Sequence, residues 1–135
     1  YRSRVIDEEK FVVGGYQADI DSSPRYSGIN YEEKARGILA ERGQSVTLTG
    51  EKEKDIVNFA DAEYLQEKII NPEQWNDYLI VARGRHLQHF INGVLMSETI
   101  DNSQKFTESG IIALQAHQGP PMKVQFKEIE LKETD

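Results

Sequence analysis

Apolar and polar residues alternate most regularly between Asp77 and Ile100, and the rest of the chain is best read outward from that stretch. Asp77 to Arg83 and His86 to Ile91 are runs of β-branched, aromatic and long apolar residues, joined by the two-residue link Gly84-Arg85, which predicts a hairpin. Asn92-Gly93 comes next. Both central positions of a type I′ turn need positive φ, which these two residue types accept, so Val94 to Ile100 is expected to run back as a third strand of an antiparallel meander.

Upstream, Tyr1 to Ile6 alternates well enough for a short strand and leads into a charged turn at Asp7 to Lys10. From Tyr16 to Asp21 the period of two puts Tyr16, Ala18 and Ile20 on one face and Gln17, Asp19 and Asp21 on the other. Tyr26 to Asn30 reads as another short strand, and Tyr31 to Ala40 as a loop running into a strand, because Gly37 interrupts its helix formers and no cap precedes them. Ser45 to Thr49 alternates with Val46 and Leu48 inward, and Glu51 to Asp55 is a solvated charge run. Asp61 is an N-cap for a short helix from Ala62 to Ile69, with Leu65 and Ile69 four apart on its buried side and Asn71-Pro72 ending it. Beyond the meander, Gly110 to His117 and Lys123 to Leu131 are expected as strands, the latter with a bulge where its apolar phase shifts between Phe126 and Ile129. Many short strands at hairpin spacing and one helix define a mainly β chain, an antiparallel β-sandwich.

Length and composition narrow the function without naming it. A chain of 135 residues holds one domain with a single core. Sixteen Lys and Arg against 23 Asp and Glu give a net charge of −7, which repels phosphate backbones and anionic lipid, so neither nucleic acid nor a membrane surface is an expected partner. There is no cysteine, hence neither a disulfide framework nor a thiolate metal site. No apolar run reaches the length of a bilayer span or of a signal-peptide core. The first residue is Tyr1, with no initiator Met, so a missing leader says nothing about compartment.

Chemistry-bearing residues are few. The histidines are His86, His89 and His117. His117 shares a predicted strand face with Gln115, the pattern of a wet surface that either contacts a ligand or is simply half exposed. His89 lies between Leu87 and Ile91, where pattern alone favours a hydrogen-bonded histidine at the edge of the core; His86 adjoins a turn and is expected in solvent. Asp19 and Asp21, two apart on a strand, point the same way at about 7 Å. They offer a base or, with His117 or His89, ligands for a divalent cation, although without a recognised ligand spacing. Arg2, Arg25, Arg36 and Arg83 offer guanidinium groups for sugar hydroxyls or a carbonyl, or are surface charges. No nucleophile elbow, phosphate loop or zinc helix is present. Trp75, the only tryptophan, is expected to be buried at the entry to the hairpin rather than to act as a stacking platform.

Six motifs in order carry a resemblance. Tyr1-Arg2-Ser3, Gly15-Tyr16-Gln17-Ala18-Asp19-Ile20, Tyr31 through Arg36-Gly37-Ile38-Leu39-Ala40, Trp75-Asn76 with Ile80-Val81-Ala82-Arg83-Gly84, Gln88-His89-Phe90-Ile91-Asn92-Gly93, and Gly110 through Leu114-Gln115 with His117 together resemble the 3-keto-disaccharide hydrolase family, nearly end to end. The resemblance implies a concanavalin A-like jelly roll, the fold of lectins and glucanases as well, and action on glycosides already oxidised to a ketone at C3. It also implies export to the periplasm or cell surface. Family domains usually carry further strands ahead of the position of Tyr1, so residues 1–135 are expected to form a single domain lacking them, with sheet edges or core left exposed.

The chemistry so implied is specific. A C3 ketone acidifies the C2 proton, so a base can form an enolate, the C1 substituent can leave by β-elimination, and water can add to complete hydrolysis. Matching the motifs nominates His117 or His89 as base and Asp19 as a catalytic carboxylate. Arg2, with or without a divalent cation held by Asp19, is then the enolate stabiliser, and Gln17, Gln115 and Arg36 are substrate contacts. The alternative is a non-catalytic, lectin-like carbohydrate-binding module, because the fold alone does not decide between them.

Overall fold

The computed structural model describes residues 1–50 and 52–133. Nine strands and one helix form two sheets. The first sheet is a four-stranded meander of β1 (Arg4–Asp7), β2 (Val12–Ala18), β3 (Asn30–Glu33) and β4 (Gly37–Ala40). The second contains β5 (Gln44–Leu48), β6 (Lys54–Asn58), β7 (Tyr78–Arg83), β8 (His86–Ile91) and β9 (Val94–Asp101), in the order β6-β5-β9-β8-β7. All pairings are antiparallel except β5 with β9, which run parallel from Gln44 beside Ser97 to Leu48 beside Asp101. The result is a mainly β sandwich, as the alternation predicts.

The meander β7-β8-β9 forms at the expected residues. Asn92 and Gly93 both take positive φ, 51° and 79°, as a type I′ turn requires. Asn92 does more than turn the chain. Its side-chain amide donates to the Ile69 carbonyl at 2.7 Å and to Asn76 Oδ1 at 2.8 Å, and its Oδ1 accepts from the Asp77 amide at 2.9 Å. One turn residue thereby fastens the helix end to the hairpin. The helix α1 (Ala62–Lys68) is capped by Asp61, whose carboxylate accepts from the Tyr64 amide at 2.7 Å, and it buries Leu65 against Ile91 and Met96. The main core lies between the sheets, where Tyr16, Leu39, Ala40, Val46, Leu48 and Leu87 pack together.

Four expectations are corrected. Tyr26 does not begin a strand: residues 19–29 are loop and turn, and β3 starts at Asn30. Side chains hold this loop instead of a ladder, with the Arg42 guanidinium donating to the carbonyls of Ser27 at 2.6 Å, Pro24 at 2.8 Å and Ala62 at 3.0 Å. The stretch from Tyr31 to Ala40 is a hairpin rather than a loop and one strand, its turn made by Lys34 and Gly37 at φ of 58° and 74°. The charge run ends in β6, an edge strand exposed on both faces, so no alternation betrays it; Glu51 lies outside the described residues.

The fourth correction concerns the C-terminal stretch. Gly110 to His117 and Lys123 to Leu131 form no strands, and among the described residues their only ladder contact is the Ser3–Ile111 bridge. Alternation supplies side chains for a strand but not a neighbour for its backbone, and a strand without one is not stable in water. Ile112, Leu114, Phe126 and Ile129 accordingly remain exposed.

One buried cluster joins the sheets. Arg36, in the β3–β4 turn, grips Asp101 at the end of β9 with Nη1 at 3.1 Å and Nη2 at 2.6 Å, and also pairs with Glu32 of β3. The Tyr16 hydroxyl donates to the same Asp101 carboxylate at 2.5 Å and the Ser103 hydroxyl at 2.6 Å. Removing one partner strands the others in the interior, so R36M is expected to lower unfolding free energy by about 3–5 kcal/mol. Urea unfolding followed by circular dichroism measures it, and a loss below about 1 kcal/mol, the scale of an exposed pair, would contradict this role.

Candidate active site

Alternation along β2 sends Tyr16 into the core and Gln17 the opposite way, and the strand ends one residue before Asp19. The Gln17 amide donates to Asp19 Oδ1 and, at 3.4 Å, to Gln115 Oε1, so two residues distant in sequence meet across 98 positions. His117, two residues beyond Gln115, lies close enough to lower the pKa of both Asp19 and Asp21 electrostatically. Gln17, Asp19, Gln115 and His117 thus form one cluster. It borders a hollow of about 370 Å³ lined by Gln115, His117, Pro120, Met122, Val124 and Phe126. A concavity that brings polar groups together with apolar side chains is the usual make-up of a small-molecule site.

The two aspartates on this segment have opposite electrostatics. Burial pushes the Asp19 carboxyl above its ordinary range, the charges of Asp21 and Glu33 add to that, and the Gln17 amide and His117 oppose it. Asp21 is held below its ordinary range, chiefly because the Ser23 hydroxyl donates to Oδ2 at 2.5 Å, with the Ser23 amide on Oδ1 at 3.1 Å. Asp21 is therefore the acceptor of a local turn, and Asp19 is the carboxyl that tends to keep its proton.

Three other nominated residues are placed elsewhere. His89 is wholly buried: Nδ1–H donates to the Ile29 carbonyl at 3.0 Å, and Nε2 accepts from the Tyr1 hydroxyl at 2.9 Å. Burial lowers its pKa to about 4, so it is a neutral core histidine with both nitrogens engaged and no route to a substrate carbon. Arg2 donates to the carbonyls of Gly84 at 2.6 Å and Ala82 at 3.0 Å and lies over the Phe106 ring, which makes it a clamp on the β7–β8 turn rather than an enolate stabiliser. Arg36 belongs to the buried Asp101 cluster and is not a substrate contact. Among the described residues no three histidine or carboxylate side chains come together to hold a metal ion.

Sequence reasoning missed Tyr78. Among the described residues its buried hydroxyl has no hydrogen-bond partner, and burial first, then the Asp19 charge, raises its pKa well above the ordinary tyrosine value. Nothing in the alternating stretch around it distinguishes this tyrosine from a core residue. Trp75 also departs from expectation: it is 53 % exposed, with the Lys127 ammonium 4.6 Å from its ring centroid.

The family comparison places this β-sandwich among carbohydrate-related domains. The chain belongs to the 3-keto-disaccharide hydrolase family, whose model, a 3-keto-alpha-glucoside-1,2-lyase-like domain, matches residues 1–132. Comparison with curated proteins and with solved structures yields no match.

His89 gives a pH test of the core. Unfolded, it takes up a proton near its ordinary value of 6.5; folded, it resists until about 4, so the unfolded chain binds more protons between these values. The stability it contributes is complete above that window and is lost as pH falls through it. Between about pH 7 and pH 5 the chain is expected to lose about 2 kcal/mol that H89Q does not lose. Parallel urea titrations of the two proteins would show equal slopes if His89 were solvated.

Proposed function

We propose that this domain cleaves 3-keto-glycosides by elimination, with His117 as the base and Asp19 as the acid. The observation that carries the reading is the pairing of a carboxyl whose pKa is raised with a histidine in electrostatic reach, the histidine lining a hollow of mixed polar and apolar character. His117 takes the proton from C2, and the electron pair left behind delocalises onto the C3 oxygen as an enolate. The enolate then expels the C1 substituent, whose oxygen receives the Asp19 proton. Water adding at C1 of the resulting enone, its proton passing to the Asp19 carboxylate while His117 returns its proton to C2, gives net hydrolysis and restores both groups; release of the enone before water adds gives a lyase. Asp19 suits its part because burial raises its pKa, the direction a general acid needs.

The glutamines order the site. Gln115 Oε1 accepts from Gln17, which leaves the Gln115 N–H donors for a ligand oxygen, and the ketone oxygen, where charge develops, is the one that benefits most. Gln17 holds the acid as well, through its bond to Asp19. The carbohydrate is thus bound by short amides and worked on by one acid and one base, without a nucleophilic carboxylate and so without a glycosyl-enzyme intermediate.

The roles separate by leaving group. H117A is expected to lower kcat about 100-fold or more on every 3-keto-glucoside, since removing a general base typically costs 10²–10⁴. D19N is expected to lose a similar factor, about 100-fold, on an alkyl aglycone and little on 4-nitrophenolate, which departs without a proton. Unchanged turnover in H117A would sink the assignment, and saturable binding of the keto-sugar with no release would define a lectin-like module instead.

A further inference from the structure

Trp75 faces solvent from the turn that leads into β7, and beside it lies a second hollow of about 310 Å³ lined by Glu73, Gln74, Trp75, Lys123 and Gln125. The two hollows share a wall. Along residues 122–126, Met122, Val124 and Phe126 line the hollow beside His117, while the alternate residues Lys123 and Gln125 line the one beside Trp75. We propose that the Trp75 hollow is a saccharide subsite that seats a neutral pyranose ring, the unoxidised sugar of a disaccharide substrate. This rests on the carbohydrate reading above and extends it from the reacting ring to its neighbour.

The chemistry of the lining fits that ligand. A pyranose presents polarised C–H bonds on one face and hydroxyls around its rim. An exposed indole offers a flat, electron-rich surface to the first, as it does to any positively polarised group. Two glutamine amides and a carboxylate supply donors and acceptors for the second. The ammonium of Lys127, 4.6 Å from the ring centroid, shows that the π face already attracts positive charge. A cation–π contact at an exposed site is weak, so a sugar can displace the ammonium, which then becomes another donor to a hydroxyl. The volume lies at the lower end of small-molecule sites, roughly 300–1,000 Å³, and so suits one ring rather than a longer chain. Glu73 takes a left-handed φ of 58°, a conformation that bulky residues keep chiefly where the surroundings impose it.

Because Trp75 is the only tryptophan, its emission reports on this hollow alone. The test is a titration of the full chain with unoxidised glucobioses and methyl glucoside, following tryptophan fluorescence. A saturable shift is expected, with affinity reduced about tenfold or more in Q125A, and in W75A by calorimetry, while W75F retains most of it. An unshifted emission maximum at saturating sugar, or a shift that survives in Q125A and Q74A alike, would overturn the subsite. Because these sugars carry no ketone and are not turned over, failure here leaves the catalytic assignment standing, and failure of the catalytic assignment leaves this one standing. A melting curve for each variant identifies any that does not fold, in which case the glutamine variants decide.

Discussion

The bidentate grip of Arg36 on Asp101 is the contact on which the sandwich depends most. Arg36 comes from the β3–β4 turn of one sheet and Asp101 from the last residue of β9 in the other. Apolar packing between sheets is non-directional and would tolerate a slide; a planar fork on a planar carboxylate does not. Burial works against the Arg36 charge, yet its hydrogen bonds to Asp101 and Glu32 outweigh it and hold the guanidinium more firmly charged than usual. Burial likewise works against the Asp101 charge, and Arg36, Ser103 and Tyr16 together overcome it. The Tyr16 hydroxyl, pushed up to about 12 by burial and by its bond to Asp101, stays protonated and remains a donor. Each charge is tolerable only because the other is present, and so the cluster fixes register more than it adds stability.

From that node the chain reaches the candidate site along β2. Tyr16 is anchored in the cluster and Gln17, its neighbour, necessarily faces the other way, so the position of the amide is inherited from the core. Asp19 inherits less, because the strand has ended and the loop beyond it is held by Ser27 and by Arg42. This explains how two carboxyls two residues apart come to differ. On a continuing strand, Asp19 and Asp21 would share a face and a field. The break after Ala18 frees the second to form a turn with Ser23 in solvent, while the first is left under partial cover beside Gln17.

Local alternation was enough to read the meander, the helix and its cap, because each is satisfied by contacts near in sequence. Asn92-Gly93 could be read because positive φ is a property of two residues, and Asp61 because a cap bonds three residues on. β6 could not, since an edge strand exposed on both faces has no alternation to display. For the stretches after Gly110 the difficulty was the reverse: the pattern was present and the partner was not. Residue type showed which side chains carry chemistry but not which of them the fold consumes. Arg2, Arg36 and His89 are as reactive in composition as His117, and all three are occupied by carbonyls, a carboxylate or a tyrosine. Of the nominated residues, Gln17, Asp19, Gln115 and His117 fall in one cluster; the Gln17–Asp19 and Gln115–His117 pairings were visible from spacing, and the contact between the two segments was not.

The two halves of the site differ in how they are held. Gln17 is fixed by the ladder to β3, where it lies opposite Tyr31, in a strand that β1 flanks farther back at Val12 to Gly14. Gln115 and His117 lie on a segment anchored by the Ser3–Ile111 bridge, by the Gln17–Gln115 bond and, farther on, by Lys127 against Trp75. Each of these is individually weak, and the segment buries no apolar side chain that would add cooperativity. Such a stretch lies at the low end of a protein's local stability. A sugar that touched Gln17 and Asp19 on one side and Gln115 and His117 on the other would contribute contacts of the same order as those already holding the segment. In this architecture, then, the placement of His117 relative to Asp19 is set jointly by the sheet and by the weakly anchored segment beside it.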